Sequence, residues 1–134
     1  MGGRCNRSAT VDILAGLLFL LGVIFFDKWY TSVTFIIASI YLNLHRWVWK
    51  SDYLGKFYVA FIFILIPFFI VNGILTGTGI EEQVVWYNDA ENLGIRMGTI
   101  PIEDTFYGMV LLLMNVSLFE YLQNKKGPVK APSL

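Results

Sequence analysis

The stretch 57–75, FYVAFIFILIPFFIVNGIL, decides the fold class, because 19 residues pass there without a charge. At 1.5 Å per residue a helix of that length spans about 28 Å, the thickness of a bilayer's hydrocarbon core. Such a run reads as a transmembrane helix. Three shorter apolar runs lie around it. The first is 13–26, ILAGLLFLLGVIFF, ended by Asp27 and Lys28; the second is 29–44, ended by His45 and Arg46; the last is 105–119, closed by Glu120. Each is short for a span, and aromatic residues that favour the membrane–water boundary extend each of them: Trp29 and Tyr30, Trp47 and Trp49, Tyr107 and Tyr121.

Composition points the same way. Of 134 residues 56% are hydrophobic and 15% charged, against roughly 25% charged in soluble domains. So short a chain cannot hide that much Leu, Ile, Phe and Val from water in one core. The expected fold is an all-α integral membrane protein of about four transmembrane helices, with a long acidic loop before the last. The formal net charge is zero, so nothing suggests a nucleic-acid partner, and the single cysteine, Cys5, offers neither an internal disulfide nor a metal-binding spacing. Arg4 and Arg7 ahead of an apolar run resemble a secretory signal, but VIFFDKWY offers no small-residue cleavage site, so a retained helix is expected. The tight connection between the first two runs predicts a helical hairpin. The segments expected are 1–28, an N-terminal extension with the first helix; 29–123, the membrane domain; and 124–134, a polar tail.

Between the third and fourth runs lies TGTGIEEQVVWYNDAENLGIRMGTIPIEDTF, residues 76–106. Loops this long are usually functional. This one collects Glu81, Glu82, Asp89, Glu91, Glu103 and Asp104, and its apolar segment Val84–Tyr87 suits the membrane interface. At its end stands Pro101-Ile102-Glu103-Asp104. One reading is structural: proline suits a helix's first turn, and carboxylates offset the positive end of its dipole. The other is chemical: a carboxyl partly removed from water holds its proton and can act as a general acid, and two adjacent carboxyls disfavour double ionisation.

Farther along the last helix, Asp104, Gly108, Leu111 and Asn115 share one face, with Glu103, Tyr107, Val110 and Met114 beside it. Asn115 near mid-membrane, and Asn72 near Pro67 and Gly73 in the third run, each need a polar partner. An interhelical hydrogen bond is the simpler reading and a substrate contact the sharper one. Pro67 should bend its helix. His45, the only histidine, reads as an interfacial anchor beside Arg46 and two tryptophans. GILTGTGIEE lacks dinucleotide-binding spacing, and no zinc, haem or nucleophile-elbow pattern occurs, so no cofactor or metal is expected.

Residues 57–122 carry a resemblance. A helix, a loop with Tyr87 and the glycines Gly94 and Gly98, then Pro101, Glu103 and Asp104 opening the last helix, resemble the membrane lycopene cyclase domain family of carotenoid-producing microbes. The similarity covers roughly 29–122 and is closest to the C-terminal repeat of the fused bacterial form. Asn72 stands where the family often has an Asp. The resemblance implies a carotenoid cyclase without cofactor, working as one half of a two-domain enzyme or as a homo-oligomer in the bacterial cell membrane. Its substrate would be a lipid-soluble polyene. Cyclisation is an isomerisation in which an acid protonates the terminal double bond, the ring closes and a base removes a neighbouring proton. Glu103 or Asp104 would be the acid, with the other carboxyl or Glu91 as base. Trp86, Tyr87, Phe106 and Tyr107 would offer π-faces to the cation, and Asn72 and Asn115 would line the substrate path. A related hydratase, trapping the same cation with water, and a non-catalytic membrane subunit are the competing classes.

Four spans put Arg4, Arg7, Arg46, Lys50, Lys56, Lys125, Lys126 and Lys130 on one side and leave only Lys28 and Arg96 on the other. That asymmetry predicts cytoplasmic termini. A topology reporter fused after Leu134 should therefore report the cytoplasm, and one inserted at Asp89 the opposite side. Both reporters on one side would rule out four spans.

Overall fold

The computed structural model describes residues 3–126. The predicted tail begins as a continuation of the last helix, 124–126; the expectations for Lys130, Leu134 and the rest of the tail, and for the side chains of Arg4, Cys5, Arg7 and Lys126, lie outside the described residues. The chain is mostly helical. Helix α1 covers Gly3–Ile24, and α2 covers Trp29–Asn43 and runs on into a π-helical turn, Leu44–Val48. Helix α3 covers Leu54–Leu75 and passes through Pro67 without ending. Helix α4 covers Ile102–Lys126, preceded by a minimal antiparallel hairpin of β1, Arg96–Met97, and β2, Ile100–Pro101. Gly98, at φ +67°, makes the hairpin's turn in a region that L side chains avoid.

Among the described residues, α3 and Ile102–Lys125 of α4 are long and apolar enough to cross a membrane, and Ala9–Ile24 of α1 is a shorter apolar helix. Helix α3 is no buried core helix. Ile62, Phe63 and Ile66 are 64%, 69% and 62% exposed, an outward apolar surface of the kind that marks a membrane or protein contact.

The inward faces meet in one core: Val11, Ala15 and Leu18 from α1, Phe35, Ala38 and Leu42 from α2, Leu54, Phe57 and Phe61 from α3, and Met109, Val110 and Leu113 from α4. Helices α1 and α2 form the expected hairpin at close range. A Cβ on Gly22 would lie 2.8 Å from Ile36 Cγ1 and 3.3 Å from the Ser32 carbonyl, so a side chain there would force the pair apart. Ser39 adds a hydrogen bond across the pair to the Ala15 carbonyl at 2.7 Å. Phe68 of α3 likewise seats on Gly108 of α4.

Helices α2 and α4 run parallel. Their starts meet at Tyr30 and Asp104, and their later turns meet at Tyr41, His45 and Ser117. Here the structure corrects the reading of His45 as an interfacial anchor. The residue lies in the π-helical turn and is fully buried. Its Nδ1 lies 2.8 Å from Ser51 Oγ and its Nε2 2.8 Å from Ser117 Oγ, while Tyr41, Trp49 and Tyr53 meet the ring edge-on. Both nitrogens are satisfied internally, which is what makes burial of a polar ring tolerable.

An exposed anchor would tolerate His45→Ala within about 0.5 kcal/mol. A buried tether should lose about 2–3 kcal/mol, from the cavity and the two lost hydrogen bonds to Ser51 and Ser117. Thermal unfolding of the purified protein in detergent micelles distinguishes the two, and a melting temperature unchanged from wild type would contradict the tether.

Candidate active site

The loop between α3 and α4 is built to deliver two carboxyls to the start of α2. Gly77, at φ +110°, turns the chain out of α3, and Val84 and Val85 both donate their N–H to the Leu75 carbonyl at 2.9 Å. Thr99 in the hairpin turn links to Thr76 at 2.6 Å and to Thr78 at 2.8 Å, fastening the hairpin to the end of α3. The Ile102 N–H reaches the Ile95 carbonyl at 3.0 Å, so α4 begins directly off the hairpin. Asn92 is buried and accepts the Gly94 N–H at 2.7 Å, shaping the turn before it.

Glu103 and Asp104 then stand in the first turn of α4, and both are buried, at 0% and 5% exposure. Two consecutive residues of α2 meet them. Tyr30 donates its phenol to Asp104 Oδ1 at 2.5 Å, and Thr31 donates its hydroxyl to Glu103 Oε1 at 2.5 Å. The loop supplies two more donors. The Leu93 N–H reaches the same Glu103 Oε1 at 2.8 Å, and the Tyr87 phenol reaches Asp104 Oδ2. The two carboxyls therefore differ. Asp104 is held through both oxygens, whereas Glu103 is held through one. Glu103 Oε2 is buried and has no hydrogen-bond partner among the described residues.

Electrostatics around the pair follow from the same layout. The N-terminal ends of α2 and α4 converge here, so the positive ends of two helix dipoles face any negative charge on the carboxyls. Burial, then the hydrogen bond to Asp104, pushes the Tyr87 phenol well above its ordinary range, which keeps it a donor. At the outer edge, the hydrogen bond from Arg96 holds the Asp89 carboxyl below the usual carboxylate range. The Arg96 guanidinium also lies 6.0 Å from the Tyr87 ring.

The other residues singled out from the sequence fall in three places. Glu91 lies at the margin, where it caps α2: its carboxylate accepts the Trp29 N–H at 3.2 Å and its carbonyl the Tyr30 N–H at 3.0 Å. Phe106 turns inward, edge-on to Phe35 at 5.3 Å, one turn below the carboxyls. Tyr107 and Trp86 face outward, at 51% and 77% exposure, and Trp86 lines a groove with Thr76, Ile80, Glu81 and Gln83 rather than the carboxyl site. Asn72 and Asn115 do not reach the site. Each donates to the carbonyl four residues earlier in its own helix, Phe68 at 2.9 Å and Leu111 at 2.8 Å, in place of the interhelical bond expected. Of the predicted set, then, Glu103, Asp104 and Tyr87 converge, with Glu91 and Phe106 at the edge.

Tyr30 and Thr31 are the residues that sequence reasoning missed. A signal for them did exist. In a chain of alternating spans the second and fourth helices run parallel, so polar residues at their starts share one level.

Comparison with curated proteins and with solved structures returned no match. The family model described as lycopene cyclase matches residues 27–122. That interval takes in α2, α3, the loop, and α4, with its carboxyl pair, as far as Leu122, well over half of the chain, and on it the chain belongs to the lycopene cyclase family.

Proposed function

We propose that the chain closes the end of linear lycopene into an ionone ring by acid–base isomerisation, with Glu103 as the acid and Asp104 as the base. Family membership makes it a carotenoid cyclase; the reaction steps and residue roles are the proposal. The observation that carries the assignment is the asymmetry of the two carboxyls. Glu103 has a buried oxygen that no donor occupies, which is where a transferable proton fits. Asp104, gripped by two phenols, is the member suited to carry charge.

The reaction balances without a cofactor. Glu103 gives its proton from Oε2 to the terminal double bond. The resulting cation is attacked by the next double bond along the chain, closing the ring. Asp104 removes a neighbouring proton, and one proton has entered and one has left. Phe106, Tyr30 and Tyr87 offer π-faces near the developing cation. Water, which would trap that cation as an alcohol, is kept out by the burial of the carboxyls.

A substrate this apolar lies in the bilayer, and the same reading places all four helices there, with both termini cytoplasmic in a bacterial cell membrane. The outward apolar surface of α3 supports it. The reading also takes the working enzyme to pair two like domains, because one unit of four helices offers little interior in which to enclose a long polyene.

If Glu103 only offsets the helix dipole, Glu103→Gln costs about 0.3–1 kcal/mol of stability and leaves chemistry nearly intact. As the acid, the same change should lower cyclised pigment by roughly 10²-fold or more in a lycopene-accumulating host, with the protein still inserted. Asp104→Asn should also lose activity, to a different extent. Pigment chromatography reads both, and unchanged ring formation in both folded variants would return the pair to a capping role.

A further inference from the structure

Removing a proton from Glu103 leaves a carboxylate in a buried site, and a buried charge is tolerable only where donors already point at it. Two do. The Thr31 hydroxyl and the Leu93 N–H converge on Oε1 at 2.5 Å and 2.8 Å. Neither reaches Oε2. Charge left on the carboxyl is shared between its oxygens, so donors fixed on Oε1 support the anion while Oε2 stays free to give up the proton. One of them is main chain, held by the loop turn before Gly94. The other is a single side chain.

The local structure explains why Thr31 is available for this. A threonine within a helix commonly spends its hydroxyl on a carbonyl of the preceding turn of its own helix. Thr31 sits in the first turn of α2, where no such turn precedes it, and its hydroxyl is directed across to α4 instead. The residue is fully buried, so water does not compete for Glu103 Oε1. The Thr31 N–H is engaged separately by the Glu91 carbonyl at 3.4 Å, which leaves the side chain alone on Glu103.

We infer that Thr31 is a positioning residue for proton transfer. Together with the Leu93 N–H it forms an anion cradle on Oε1 that confines the transferable proton of Glu103 to Oε2 and stabilises the carboxylate as the proton leaves. The inference rests on Glu103 being the acid. It predicts that the hydroxyl matters to the chemical step and little to substrate capture, since Thr31 acts only through Glu103.

The test compares Thr31→Val, which keeps shape and removes the donor, with Thr31→Ser, which keeps the donor. Lycopene turnover is measured in membranes carrying the full chain, with Glu103→Gln as control. Thr31→Val should lower kcat by about 10²-fold with KM nearly unchanged, and Thr31→Ser should stay within about threefold of wild type. Infrared spectroscopy supplies a readout that packing alone would not move. The carbonyl band of the protonated Glu103, identified by its loss in Glu103→Gln, should shift to higher wavenumber in Thr31→Val and return in Thr31→Ser. A wild-type kcat in Thr31→Val, an unmoved band, or a serine variant as impaired as the valine one overturns the cradle and leaves Glu103 as acid. Full activity in Glu103→Gln overturns the assignment of the acid itself.

Discussion

Two adjacent residues at the start of one helix hold two adjacent residues at the start of another: Tyr30 and Thr31 of α2 bind Asp104 and Glu103 of α4. Much of the fold is arranged around that pairing. It requires α2 and α4 to run parallel, and so requires α3 to return the chain to the same level. It requires a loop long enough to come back from the end of α3 and a hairpin that aims the first turn of α4 inward. Glu91 secures the other side by capping α2 through both its carboxylate and its carbonyl. An unpaired carboxyl in an apolar interior is costly, whereas one that is hydrogen-bonded fixes the relative position of the elements supplying its donors. Here those elements are α2 and the loop.

The same constraint gives the site its chemical asymmetry. Four donors are shared between two carboxyls, and they are shared so that one oxygen of four, Glu103 Oε2, receives none. At the far end of the same two helices the polar contacts differ in kind. His45 is satisfied at both ring nitrogens by Ser51 and Ser117, a closed arrangement that tethers α2 to α4 and leaves no nitrogen free for a substrate. One end of the α2–α4 pair is a fastening. The other combines burial, a carboxyl oxygen that no donor among the described residues reaches and two helix N-termini, the layout on which the proposed proton transfer rests.

How much of this was legible in the sequence depended on range. Apolar runs and their charged ends are local signals, and they marked all four helices, α3 most clearly. Pro101, Glu103 and Asp104 form a local motif as well, and the resemblance drawn from them agrees with the family match over 27–122. The partners of the carboxyls were not legible in the same way, because Tyr30 and Thr31 stand 74 and 72 residues away from them. His45 misled because its neighbours in sequence are Arg46 and Trp47, which suit a boundary, whereas its neighbours in space are serines and aromatic rings. Asn72 and Asn115 misled because an asparagine in a helix can satisfy itself on its own backbone, which no spacing rule reveals. Glu91, read as a candidate base, sits where a helix start needed a cap.

The central claim is that ring closure begins with a proton handed over by a buried carboxyl that refills from solvent between turnovers. Cyclisation in deuterium oxide tests it most directly. Over many turnovers the acid carries deuterium, so the ring should gain one deuterium from solvent, at the carbon that was protonated. Mass spectrometry of the purified pigment should show one added mass unit per ring. A ring formed at the normal rate without label would contradict the account.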